Sequence, residues 1–70
     1  MSKRALIILA DGFEETEAVT TINILRRANI QVTIAGLDAI MVTGGRKIQV
    51  SADQLLKETI GTIDALILPG

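Results

Sequence analysis

The residues Ala5-Leu6-Ile7-Ile8-Leu9-Ala10 form an unbroken apolar run that Asp11-Gly12 closes. The run has the length of a strand and lacks the alternation of a strand with one wet face, so it reads as a strand buried on both sides. Strands of that kind belong to parallel sheets with helices packed above and below. The run is also far shorter than the roughly 20 apolar residues of a membrane-spanning helix. Lys3 and Arg4 precede it as in the basic start of a signal peptide, but the apolar part is too short and acidic residues follow at once. A cytoplasmic location is the expectation.

After the turn the period changes. Between about Glu14 and Ala28, Ala18, Ile22 and Leu25 recur at helical spacing, which predicts an amphipathic helix with those three facing the sheet. Glu14, Glu15 and Glu17 at its start and Arg26 and Arg27 at its end complement the macrodipole. Asn29 supplies a stop, and Gln31 to Gly36, rich in β-branched residues, predicts a second strand. Such a βαβ unit is nearly always right-handed. Ala39 to Val42 and Lys47 to Val50 flank Thr43-Gly44-Gly45-Arg46 and predict an antiparallel hairpin excursion. Ser51 or Asp53 is expected to cap a short helix through about Glu58, with Leu55 and Leu56 inward and Gly61 ending it. Ala65 to Leu68, stopped by Pro69-Gly70, predicts another doubly buried strand.

The fold class that follows is α/β, a flavodoxin-like parallel sheet flanked by helices with one hairpin excursion. With 70 residues and 49% hydrophobic composition, the chain is neither disordered nor two domains. A unit near this size buries only about 60% of its unfolded surface. Two strands that need cover on both faces, with one full-length helix to supply it, point to the amino-terminal portion (residues 1–70) of a larger single domain, or to one piece of a split protein.

Seven Lys and Arg against eight Asp and Glu give a net charge of -1, no footprint for nucleic acid or an anionic membrane. No Cys and no His are present, which removes thiol chemistry, an imidazole base and a zinc site from this chain. The carboxylates at the strand-to-helix junction therefore carry the chemical interest. Two readings stay open for them: acidic residues settle in a helix's first turn because backbone N–H groups favour them there, or one is turned into the crevice and desolvated for proton transfer. The absence of a G-x-G-x-x-G or G-K-[ST] pattern argues against a phosphate cradle at the same turn. Gly44-Gly45 reads as a hairpin turn rather than an anion loop, and Arg46 as a surface charge.

The run from Lys3 to Ala10, Gly12 with Glu14-Glu15-Thr16-Glu17-Ala18-Val19, Ile24 to Ala28, Val32 to Leu37, Gly45-Arg46, Asp53, and Asp64 to Gly70 together resemble the opening of the ThiJ/PfpI superfamily. The nearest branch is its "DJ-one" type of parkinsonism-associated glyoxalase/deglycase and chaperone-like proteins, whose members are much longer. The resemblance implies a cofactor-independent enzyme, of the lyase or hydrolase class, acting on methylglyoxal and related α-oxoaldehydes or their adducts. It implies that Glu17 is the active-site carboxyl, hydrogen-bonded to a nucleophilic cysteine that lies beyond this chain. Gly70 matches the first glycine of the oxyanion turn, with Gly12 and Glu14 at the substrate pocket. Glu14, Thr16, Val19, Asn23, Arg26, Arg27, Arg46 and Ile48 match the homodimer contact, Glu14 and Arg46 near the active-site mouth. On this reading Glu15 contributes only its helix-start charge. The connection from Leu37 to Met41 is shorter than in the family and bears on the hairpin geometry. A non-enzymatic chaperone or oxidative-stress-response interaction module of the same fold is the alternative. A phosphoryl-accepting receiver shares the topology but needs an Asp at a later strand end, where Leu68-Pro69-Gly70 has none.

Overall fold

The computed structural model describes residues 3–70. Six strands, one α-helix and one 3-10 turn follow in the order β1 (Arg4–Leu9), α1 (Glu15–Arg27), β2 (Gln31–Gly36), β3 (Met41–Thr43), β4 (Gln49–Ser51), β5 (Gln54–Leu55), the 3-10 turn (Leu56–Glu58) and β6 (Ala65–Ile67). A four-stranded sheet runs β5-β2-β1-β6, and β3-β4 form a separate antiparallel hairpin. Every pairing in the larger sheet is parallel: β1 with β2 from Arg4↔Gln31 to Leu9↔Gly36, β1 with β6 from Ala5↔Ala65 to Ile7↔Ile67, and β2 with β5 at Ala35↔Gln54 and Gly36↔Leu55. The expected parallel neighbours and antiparallel excursion are both present.

β1 has the expected burial on both faces. Ile7 and Leu9 are fully buried, and Ala5 and Leu6 nearly so. α1 closes one face with Ala18 and Ile22, and Leu25 packs against the same cluster as Ile7, Leu9, Val32 and Ile34. The helix is stopped as its sequence suggests. Asn29 takes a left-handed φ of 63°, and its amide donates to the Arg26 carbonyl while that of Ile30 donates to Leu25. The partly buried Leu25 and Ile30 both pack on the core, the hydrophobic contact that accompanies this six-residue stop.

Three expectations are corrected. The stretch from Ser51 to Glu58 is a short strand and a single 3-10 turn, with Leu55 and Leu56 only half-buried. Asp53 caps no helix. Its amide donates to the Ile34 carbonyl and its carboxylate accepts the Ile34 amide, both at 2.8 Å, because the edge of β2 offers unpaired backbone groups whose satisfaction outweighs a short helix. Arg26, at the helix end, reaches the Val32 carbonyl at 3.0 Å and pairs with Asp53 at 3.5 Å. Finally, β6 is not doubly buried: Leu66 is 53% and Leu68 66% exposed, since β6 is the outermost strand on its side of the sheet. On the face away from α1, Leu6 and Thr33 share a shallow cleft with Thr59, Ile60 and Ile63, so cover there is partial.

The left-handed residue at the helix stop yields a test. Asn29→Val should lose about 1–2 kcal/mol of stability, because a β-branched residue resists positive φ, whereas Asn29→Gly should be neutral or slightly stabilising. Denaturant midpoints of the two variants beside the parent check this.

Candidate active site

The chain leaves β1 on one side to form β2 and returns on the other side to form β6. Open parallel sheets build their binding crevices outside the carboxyl ends of the strands at such a reversal. A cleft of about 430 Å³ lies there, lined by residues that follow β1 (Ala10 to Phe13), β2 (Leu37), β5 (Leu56) and β6 (Leu68, Pro69, Gly70). Its floor is apolar. Gly12 and Gly70, assigned to the pocket from the sequence, both line it. Gly12 holds a φ of 91°, the left-handed turn that lets the chain leave β1 and enter α1 within a few residues.

The three carboxylates of the junction have three different jobs. Glu14 is the N-cap of α1, its carboxylate accepting the Glu17 amide at 2.7 Å. It is exposed and serves the helix end rather than the cleft lining. Glu17 stands at the third helical position, where a capping-box carboxyl would turn back to the N-cap amide. Instead its Oε1 accepts the Gly70 amide at 3.2 Å, bridging 53 positions of sequence from the first turn of α1 to the end of β6. The two residues singled out as acid/base and oxyanion turn are thus in contact, Gly70 on the cleft lining and Glu17 behind it.

Glu15 is the surprise. It is 6% exposed, the one buried charged side chain among the described residues. Its Oε2 accepts the Arg46 amide at 2.6 Å and the Ile48 amide at 3.3 Å. A Cβ on Gly44 would overlap its carboxyl group, so the glycine of the hairpin turn is required by contact with the helix. The reading of Glu15 as a helix-start charge alone is therefore corrected. Burial works to raise its pKa, but hydrogen bonds from its own amide and those of Arg46 and Ile48, with the positive charge of Arg46, outweigh it and hold the carboxyl below its ordinary value. The only sequence signal for this was the pairing of a third acidic residue with a two-glycine turn that is far from it in sequence.

The proposed contact residues Glu14, Thr16, Val19, Asn23, Arg26, Arg27, Arg46 and Ile48 are all exposed. Val19 and Ile48 stand about half exposed, at 48% and 54%. Among the described residues no group of three or more His, Cys, Asp or Glu is placed to hold a metal ion, and no helix is long and apolar enough to cross a membrane.

A carboxyl whose folded pKa is lowered adds stability that is present above the unfolded value and is lost as pH falls through the folded one. Parent stability should therefore drop on acidification below the ordinary carboxylate range more steeply than that of Glu15→Gln. Denaturant midpoints at a series of pH values read the difference.

A model described as the DJ-1/PfpI family matches residues 3–70. The chain is 43% identical over 77 residues to Protein dj-1beta of Drosophila melanogaster, covering 100% of this chain and 38% of that protein. It is 42% identical over 71 residues to the Parkinson disease protein 7 homolog of Danio rerio, covering 97% of this chain and 38% of the relative. The crystal structure of Drosophila melanogaster DJ-1beta superposes with a TM-score of 0.96 over 100% of this chain and 39% of its own, at 43% identity. Oxidized Toxoplasma gondii DJ-1 superposes at 0.89, with 35% identity, over 99% of this chain and 39% of its own. The chain thus spans well under half the length of the relatives it matches.

Proposed function

Because this chain belongs to the DJ-1/PfpI family, we propose that it supplies the acid/base half of a cofactor-independent glyoxalase or deglycase site. The other half, the nucleophilic thiolate, comes from a carboxyl-terminal portion in the same or a separate chain. The observation that supports the reading is the Glu17 to Gly70 contact, which ties a carboxyl to the backbone amide of a residue that lines the apolar cleft. A small α-oxoaldehyde such as methylglyoxal suits a cleft of that size and lining.

The chemistry asks little of this chain beyond placement and proton movement. A thiolate adds to the aldehyde carbon to give a hemithioacetal, and Glu17 supplies the proton that the oxygen takes up. A proton then moves from the former aldehyde carbon to its neighbour and the hydroxyl proton passes to the neighbour's oxygen, so one carbon is oxidised as the other is reduced and no external oxidant enters. Hydrolysis of the resulting thioester by water gives the hydroxy acid and frees the thiolate. Gly70, its own amide engaged by Glu17, brings the turn that follows β6 beside that carboxyl. Cytoplasmic location and a homodimer through the exposed stripe of α1 and the hairpin complete the reading.

Glu17 is the discriminating residue. In the assembled domain, Glu17→Gln keeps a hydrogen-bonding group but cannot transfer a proton, and turnover of methylglyoxal should fall by roughly two to four powers of ten with little change in melting temperature. Glu17→Leu should lose the Gly70 contact as well. The chain assayed alone should show no turnover, since it has no Cys, and addition of the carboxyl-terminal portion should bring activity. Turnover by the purified chain, or normal turnover by Glu17→Gln, would refute the mechanism, and no turnover by the assembled domain would favour a chaperone or stress-response module.

The dimer contact has its own test. Val19→Asp places an unpaired charge in the proposed interface and should shift the assembled protein to monomers in sedimentation. An unchanged dimer would put the interface elsewhere.

A further inference from the structure

The chemistry just proposed gives Glu15 nothing to do, yet Glu15 is buried and charged while Glu14 and Glu17 are exposed. Its partners belong to the hairpin turn, and the turn is tied in its own right to the cleft. The Gly45 amide donates to the Phe13 carbonyl at 2.9 Å and the Gly12 amide to the Thr43 carbonyl at 2.8 Å. The Thr43 amide donates to the Asp11 carboxylate at 3.0 Å. Residues 43 and 45 therefore grip residues 11 to 13, which line the cleft, and residues 46 and 48 are gripped by Glu15. The turn also contains Lys47 at a φ of 70°, a conformation unfavourable for a residue with a side chain. The turn closes on itself through the Gly44 amide on the Ile48 carbonyl and the Lys47 amide on the Gly44 carbonyl, and Glu15 ties that closed turn to α1.

We propose that Glu15 is a positioning residue for the cleft: its carboxylate holds the Gly44–Ile48 turn against α1, and through Thr43 and Gly45 that turn sets the Asp11–Phe13 wall. The charged residues on the segments that meet at Glu15 are Arg46 and Lys47 on the turn, Asp11 on the strand-to-helix connection, Glu14 at the N-cap and Glu17 on α1. Of these, Arg46 supplies the favourable charge. Protonation of Glu15 weakens both amide hydrogen bonds and loosens the wall while the core of α1, held by Ala18 and Ile22, remains. Only the kinetic consequence rests on the active-site reading above.

Amide hydrogen exchange followed by NMR in the assembled domain tests the proposal. In Glu15→Gln, exchange at Arg46 and Ile48 should rise roughly ten- to a hundredfold, and exchange at Gly12 and Gly45 should rise with it, while amides from Ile22 to Arg27 change by less than about threefold. Gly44→Ala, which crowds the carboxyl without altering it, should give the same pattern. In the parent protein, exchange at Gly12 and Gly45, corrected for its intrinsic pH dependence, should rise as pH falls through the titration of Glu15 and should stay flat in Glu15→Gln. Protection of Gly12 and Gly45 unaltered by all three perturbations would overturn the proposal. So would a uniform rise that includes the helix, which would make Glu15 a general stability residue. If either variant fails to fold, the parent pH series decides alone. Methylglyoxal kinetics on the same samples should show reduced kcat/KM in Glu15→Gln. A parent with no turnover would refute the active-site reading and leave the exchange result to judge the latch.

Discussion

Every other element takes its place from the double burial of β1. A strand with Ile7 and Leu9 fully enclosed beneath α1 and Leu6 nearly so on the opposite face needs partners on both surfaces, and its backbone needs them on both hydrogen-bonding sides. β2 and β6 supply the sides. The short helical stripe Ala18-Ile22-Leu25 supplies one surface, and because α1 must start within a few residues of Leu9 to reach that surface, the chain turns at Asp11-Gly12. The cleft is a by-product of that demand, since the turn leaves the carboxyl end of β1 open between Leu37, Leu56 and Leu68.

The acidic junction shows how three similar side chains divide among unlike tasks through position alone. One helical step separates Glu14 from Glu15, and that rotation takes the carboxylate from an exposed N-cap to a buried bond with the hairpin. Two further steps bring Glu17 to the side facing β6. The helix dipole favours all three equally, so it cannot be what distinguishes them.

Local pattern revealed much of the fold. β2 occupies the predicted residues, α1 loses one residue at each end to its caps, and the Asn29 stop, the hairpin and the parallel order of β1, β2 and β6 were all readable from periodicity and turn chemistry. The segment from Ser51 to Glu58 was not, because its apolar Leu55 and Leu56 satisfy a helix and a short strand alike, and the deciding contact, Asp53 on Ile34, lies 19 residues away. The exposure of Leu66 and Leu68 likewise depends on where β6 falls in the sheet. In the site, the resemblance pointed to Glu17, Gly70 and Gly12; Gly12 and Gly70 line one cleft, and Glu17 meets it only through the Gly70 amide. Glu14 went to the helix cap instead. Glu15 escaped notice because its partners are backbone amides, and a backbone amide leaves no mark in a sequence.

Glu17 and Gly70 meet across 53 residues of chain, and β1 meets β6 across a similar interval. Contacts of such long range carry a larger loop-closure cost than the local β1-α1-β2 unit, whose strands pair across fewer than 30 residues. The cleft takes Leu68, Pro69 and Gly70 from the segment that follows β6, so its wall depends on that long-range pairing while the helix and the first strand pair do not. Any event that tightens or loosens the hold on β6 thereby governs how much of the folded population carries an intact cleft, without touching a residue that lines it.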